Sequence, residues 1–205
     1  MAKPILSSFG LWVLVGFAPL HAGSLSHAVD ISPYPYQKRT FEVQGGAGAF
    51  FSGGGNRVNL NYATEYLRLG WMLSDIRGSG FLRGNWEGLV EGFGGEVIKG
   101  PGNGFGGAGL LGRYNFIQEQ ARLIPYMQIG GGGLFDDIYR DKRQRCIGSS
   151  FEFILQGGVG LRWSLNRKWA VFLEGEFQHT SNANTASRNV GVNAFGATIG
   201  FSRFF

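Results

Sequence analysis

Residues 151–163 read FEFILQGGVGLRW. Phe151, Phe153, Leu155, Gly157, Val159, Leu161 and Trp163 hold the odd positions, while Glu152, Gln156 and Arg162 are among the even ones. Side chains of a β-strand alternate between two faces, so this stretch reads as a strand with one apolar and one polar face. Two later stretches repeat the pattern. Residues 168–180 set Trp169, Val171, Leu173, Gly175 and Phe177 against Glu174, Glu176 and Gln178. In residues 192–205 the odd positions carry Phe195, Ala197, Ile199, Phe201, Arg203 and Phe205, and the even ones are mostly small: Ala194, Gly196, Thr198, Gly200 and Ser202.

Working outward, strand-like segments are expected at about 40–51, 57–73, 80–93, 105–116, 124–135, 150–164, 168–180 and 192–205. Turn signals separate them, among them SGGGN, SDIRGSG, KGPGNG, NFIQEQAR, the basic run 136–149, LNRK and SNANTASRN. No helical period is sustained for three turns. Eight strands of this length match a small transmembrane barrel. Gly is frequent at 36 of 205 residues, aromatic residues make up 15%, and charged residues only 16%. A soluble domain carries about 25% charged residues, so this composition suits an all-β chain not wholly surrounded by water.

Alternation alone also fits a soluble sandwich, so the core face must be chosen. The polar face carries Arg83, Glu87, Glu91, Arg113, Glu152, Arg162, Glu174 and Glu176. Mixed charges among Gly and Gln could line a narrow barrel and pair with one another, leaving the apolar face to lipid. The N-terminus favours that choice. Lys3 is a positive n-region, residues 5–17 form an apolar h-region, and Ala22 and Ala28 offer cleavage sites. The alternative, a membrane helix, has too short a core and no basic flank after it. The ending FGATIGFSRFF (195–205) resembles the C-terminal signal of bacterial outer-membrane barrels. The expectation is all-β: an eight-stranded antiparallel transmembrane β-barrel in the outer membrane of a Gram-negative bacterium. A signal peptide at 1–22, with cleavage as late as 28, would precede a single domain at 23–205.

If the mature chain starts in the periplasm, loops after strands 1, 3, 5 and 7 face outside. The breaks after strands 5 and 7 are among the longest, and those after strands 2 and 6 are compact. That asymmetry is the expected one. The basic run then lies at the cell surface. The chain has formal net charge +5, and Arg140, Lys142, Arg143 and Arg145 cluster in YRDKRQRC. In an exported protein these suit anionic lipid head groups better than nucleic acid. They suit a solvated loop as well. Cys146 is the only cysteine, so no internal disulfide forms, and it reads as an incidental thiol. GAGLLG (107–112) matches Gly-x-Gly-x-x-Gly but lies within a strand pattern, against dinucleotide binding. His21 and His27 fall in or beside the signal peptide; His179 and Cys146 alone make no metal set, so neither metal nor cofactor is expected.

FQHTSNANTASRNVGVN (177–193) holds the candidate chemistry. By parity His179, Ser181 and Asn193 all fall on the lipid-facing side. A hairpin centred near 186 sets residues 179 and 193 opposite each other, within side-chain reach. Polar groups on a lipid-facing wall are costly, although less so near the interface. A Ser beside a His is the nucleophile–base arrangement of acyl transfer, a third group would orient the His, and Asn182 is a candidate oxyanion donor. The plainer alternative is a polar loop containing a histidine.

The same run resembles the signature of the lipid A 3-O-deacylase family (PagL type): His179, Ser181, Asn182, Ala183, Asn189 and Gly191 fit it without gaps. SFEFILQGGVGLRW (150–163) and LIPYMQIGGGGL (123–134) are similar to two further strands of that family. The resemblance covers the C-terminal 85 or so residues, and the N-terminal half matches mainly in architecture. It implies an outer-membrane esterase that removes the 3-hydroxyacyl chain at position 3 of lipid A, using a lipid-facing Ser/His site and no metal. Ser181 would be the nucleophile, His179 the base, and Asn182 with Ala183 would position substrate or oxyanion, while Arg140, Lys142, Arg143 and Arg145 could contact lipid A phosphates. Its partners would be lipopolysaccharide as substrate and the surrounding outer-membrane lipids, with pairing to a second copy left open. The family carries a Glu fourteen positions after its His, where this chain has Asn193. An Asn accepts a hydrogen bond but brings no charge, so slower catalysis is expected. A non-catalytic barrel with a structural or surface-binding role is the alternative.

Overall fold

The computed structural model describes residues 35–53 and 59–205; the expected signal peptide lies outside them. Eight strands run β1 (Phe41–Ser52), β2 (Asn61–Met72), β3 (Gly84–Lys99), β4 (Gly104–Phe116), β5 (Leu123–Asp136), β6 (Phe151–Ser164), β7 (Trp169–Ser181) and β8 (Val192–Phe204). Each pairs antiparallel with the next, and β8 closes onto β1, leaving no free edge. Carried once round the sheet, the register that starts at Glu42 returns to β1 at Ser52. That offset tilts the strands by roughly 40–45° from the barrel axis.

The two walls differ as the alternation requires. Outward lie Leu67, Leu69, Val90, Ile129, Leu155, Val159, Leu161, Leu173 and Ile199, all exposed. Aromatic rings crowd both ends of this wall. Phe41 packs on Trp71 and Phe205, and Trp86 on Tyr114, at the end where β1 begins and β8 ends. At the other end Phe135 packs on Phe151, Phe151 on Phe153, and Phe177 on Phe195. Two such girdles bounding an apolar band mark the two membrane interfaces.

Inward, three arginines and five glutamates knit the lumen. Arg68 meets Glu91 at 2.5 Å, Glu174 at 3.2 Å and Glu176 at 3.6 Å. Arg113 lies 3.6 Å from Glu87, 3.8 Å from Glu174 and 3.9 Å from Glu42. Arg162 meets Glu42 at 3.0 Å and Glu87 at 3.7 Å. Tyr66 and Tyr126 lie flat along this wall because Gly46 and Gly160 face their rings, where any Cβ would collide. Both mouths are closed by apolar packing. Ile138, Cys146 and Ile147 of the β5–β6 loop join Phe50, Leu60, Tyr62, Val192 and Ala194 at one end. Tyr36 joins Met72, Ile117, Ile124, Ala170 and Phe204 at the other.

Three expectations need correction. The third strand runs 84–99 rather than 80–93. Gly78 and Gly80 take φ of +85° and +58°, which an extended run cannot continue through, and 80–82 form a short 3-10 turn. At its far end Gly94 and Gly95 do not break the strand; they pair with Glu65 and Thr64, and Phe105 covers Gly95. Arg83 consequently leaves the lumen wall and donates to the Ile117 carbonyl at 2.6 Å in the turn region. The β2–β3 connection (73–83) is therefore not compact, whereas the outer β3–β4 turn (100–103) is short.

Candidate active site on the outer wall

β7 continues to Ser181 and β8 begins at Val192, so the polar segment straddles a strand end. His179 pairs directly with Asn193, the register that parity required. His179 and Ser181 stand two residues apart, on one face of one strand. The imidazole bridges both neighbours: Nε2 is 3.1 Å from Ser181 Oγ, and Nδ1 is 2.6 Å from Asn193 Oδ1. An amide oxygen only accepts, so this contact puts the ring proton on Nδ1 and leaves the Nε2 lone pair for the serine hydroxyl. All three residues are half-buried.

Glu174 and Glu176 point into the lumen, as their parity requires. Glu174 is held by Arg68, Tyr126 and Gln128, and Glu176 accepts from Gln178. The outward surface beside the pair is apolar: Phe153 lies opposite Ser181 and Leu155 opposite His179, while Gly157 opposite Phe177 leaves a dip.

The loop after Ser181 is tightly braced. Ala183 and Asn184 both take positive φ, 51° and 65°. The Asn182 N–H donates to Asn189 Oδ1 at 2.8 Å, and its carbonyl accepts from the Thr185 N–H and hydroxyl. The Asn182 side chain is fully buried; its amide donates to the Arg188 carbonyl at 2.9 Å and lies 3.5 Å from Glu152 Oε1. It braces the loop from below rather than reaching the serine. The Ala183 N–H makes no hydrogen bond to the described residues. Gly191 has φ +75°, and a Cβ there would sit 3.1 Å from His179 Cε1, so the ring packs against a bare backbone.

Arg188 fastens this loop to its neighbour. Its Nη1 donates to the carbonyls of Asp141 and Gln144, and its Nη2 to that of Tyr139. Val190 and Gly191 N–H groups donate to Arg145 and Cys146 carbonyls. Glu152 Oε1 gathers the Gly148 and Ser149 N–H groups. The sequence carried no signal for this role of Arg188, because recognition of main-chain carbonyls follows no residue pattern.

The four basic residues part company. Arg143 forms a two-point pair with Asp141, both contacts at 2.9 Å, and its hydrogen bonds hold the Asp141 carboxyl down to about 2. Arg140 lies over the Tyr139 ring, 5.9 Å from its centre. Lys142 and Arg145 instead line an open cleft of about 470 Å³ with Asn184, Ser187 and Asn189. Cys146 is buried in the mouth cluster.

Closed, aromatic-girdled and apolar on its outer wall, the molecule is a Gram-negative outer-membrane β-barrel. Solved barrels share the fold. Neisserial surface protein A matches with TM-score 0.60 at 14% identity, over 80% of this chain and 97% of that one. The outer membrane enzyme PagL matches with TM-score 0.52 at 20% identity, over 78% and 97%. The N-terminal barrel domain of Pseudomonas aeruginosa OprF gives 0.50 at 14%, over 80% and 98%. No curated protein sequence matches the chain. The family model for lipid A 3-O-deacylase (PagL) matches residues 54–202, and the chain belongs to that family.

Proposed function

We propose that this protein hydrolyses the ester-linked 3-hydroxyacyl chain at position 3 of lipid A, with Ser181 as nucleophile and His179 as base. The observation carrying this reading is the hydrogen-bonded run Asn193–His179–Ser181 on the outer wall. Nε2 takes the hydroxyl proton as Oγ attacks the ester carbonyl carbon. In this reading the Ala183 N–H, which makes no hydrogen bond among the described residues, would receive the oxyanion, in a loop that Asn182 braces. Collapse expels the sugar hydroxyl, which takes its proton from His179. Water then attacks the acyl-enzyme, assisted by the same imidazole, and a 3-hydroxy fatty acid leaves. The acyl chain would lie on the apolar surface of Phe153, Leu155, Gly157 and Phe177.

Asn193 fixes the ring and its tautomer but supplies no charge to the imidazolium formed in the transition state. This favours a slow enzyme over a fast one, and it is the observation that supports a non-catalytic barrel as the second reading. Expression in a host that makes lipid A decides between them. The enzyme must lower the lipid A mass by one hydroxyacyl chain, and Ser181→Ala must abolish the change. A properly inserted barrel that leaves the mass unaltered sinks the esterase.

A further inference from the structure

The cleft beside the serine loop is not needed for bond cleavage, yet it is built from two loops locked in place. One wall is Asn184, Ala186, Ser187, Arg188, Asn189 and Val190, and the other is Lys142 and Arg145. Of the positive charges near it, Arg188 is consumed by three main-chain carbonyls and Arg143 by Asp141. Lys142 and Arg145 are exposed and, among the described residues, carry no ion pair. Neutral donors stand with them. Asn184 Oδ1 accepts from Asn189 Nδ2, which leaves the Asn184 amide hydrogens free to turn outward, and Ser187 brings a hydroxyl. The cleft is tied to the chemistry: Asn189 holds the N–H next to Ser181, and Val190 adjoins the glycine beneath the His179 ring.

Two unneutralised cations with amide and hydroxyl donors form a site for a phosphomonoester. Resting on the deacylase reading, we infer that this cleft holds a phosphate on the sugar of the lipid substrate, through Lys142 and Arg145. The ester then reaches Ser181 because phosphate and ester are carried on one rigid head group. Anchoring the part of the substrate that does not react positions the part that does.

The test uses full-length Ser181→Ala protein in neutral-lipid vesicles, with lipid A and the same lipid A stripped of phosphate as the two probes. Phosphorylated lipid A should bind about ten-fold more tightly. The added pair Lys142→Gln and Arg145→Gln should remove that preference and leave binding of the stripped lipid unchanged. Arg143→Gln should change neither by more than about two-fold, because Asp141 already neutralises it, whereas Lys142→Arg should retain the preference. Equal binding of the two probes, or loss of both together in the double variant, overturns the inference. Equal binding of the two lipid probes while inorganic phosphate itself binds through Lys142 and Arg145 reassigns the cleft to free phosphate and overturns it too. Because binding is read without turnover, an inactive barrel and a wrongly assigned cleft give different results.

Discussion

The barrel holds polar groups in two low-dielectric places, and it treats them differently. In the lumen each arginine meets two or three carboxylates, and each of Glu42, Glu87 and Glu174 meets two arginines. On the outer wall Asn193, His179 and Ser181 stand in single file, with one hydrogen bond on each side of the imidazole. Redundancy suits a scaffold, since no single bond decides its geometry. Single-file contacts suit a reaction, since each imidazole nitrogen faces one partner. The lumen therefore predicts losses of folding, and the outer wall losses of rate.

The comparison breaks hardest at Ser181. Ser181→Ala should remove all deacylation while the protein keeps its folded migration on gels, and a mass shift that survives would remove Ser181 from the mechanism. Arg113→Met strips the buried carboxylates Glu42, Glu87 and Glu174 of a shared cation. Taking one partner from such a network costs about 3–5 kcal/mol, seen as a lower urea midpoint for the vesicle-inserted barrel. Unchanged stability would mean that the lumen charges are less coupled than their distances imply.

Asn193 sharpens the contrast from the other side. A carboxylate at this register should stabilise the imidazolium, so Asn193→Asp, which keeps the side-chain length, should raise kcat about ten-fold, or about 1.4 kcal/mol. Asn193→Glu, one methylene longer, should also raise it. If neither variant changes the rate, the orienting role of residue 193 fails. Arg188→Lys should slow deacylation only a few-fold, because an ammonium cannot span three carbonyls in a fork. The effect should fall on kcat if the loop positions the oxyanion donor, and a change confined to KM would argue for a binding role alone.

The smallest effect belongs to Asp137. Partial burial works against its ionisation, but hydrogen bonds from the Asn103 N–H and side chain and the Gly104 N–H outweigh this and hold its carboxyl below the usual range. A lowered folded value means this clamp supports the loop above the usual pKa of about 3.9 and releases it as pH falls through the folded value. Asp137→Ala should speed protease nicking of the β5–β6 loop a few-fold near pH 7. The difference should fade in acid with a protease active there; if it persists unchanged, the carboxylate is not the clamp.

Much of this architecture was legible because alternation is a short-range property. Glu174, Glu176, Phe177 and His179 declare their sides by parity alone, and the same parity brings Asn193 to His179. Where glycine intervened, the rule lost its footing: Gly94 and Gly95 look like a turn yet pair as strand, because an aromatic ring from β4 covers one of them. Arg83 and the span after β2 failed for the converse reason, positive φ at Gly78 and Gly80. The loop bracing was illegible throughout. Arg188, Glu152 and Asp137 act on main-chain atoms, and contacts to the main chain leave no trace in the identity of the residue contacted. For the same reason nothing in YRDKRQRC separated Lys142 and Arg145 from Arg143, which Asp141 had already claimed.

The filled lumen has a kinetic corollary. Arg68, Arg113 and Arg162 occupy its middle, and apolar clusters seal both ends. Nothing as large as a lipid can travel through the protein, so its dealings with lipid take place along the wall, in two dimensions. On the deacylase reading, the concentration that would set its rate is the mole fraction of substrate in the outer leaflet. Diluting the leaflet with inert lipid should slow the protein, and diluting the suspension with buffer should not.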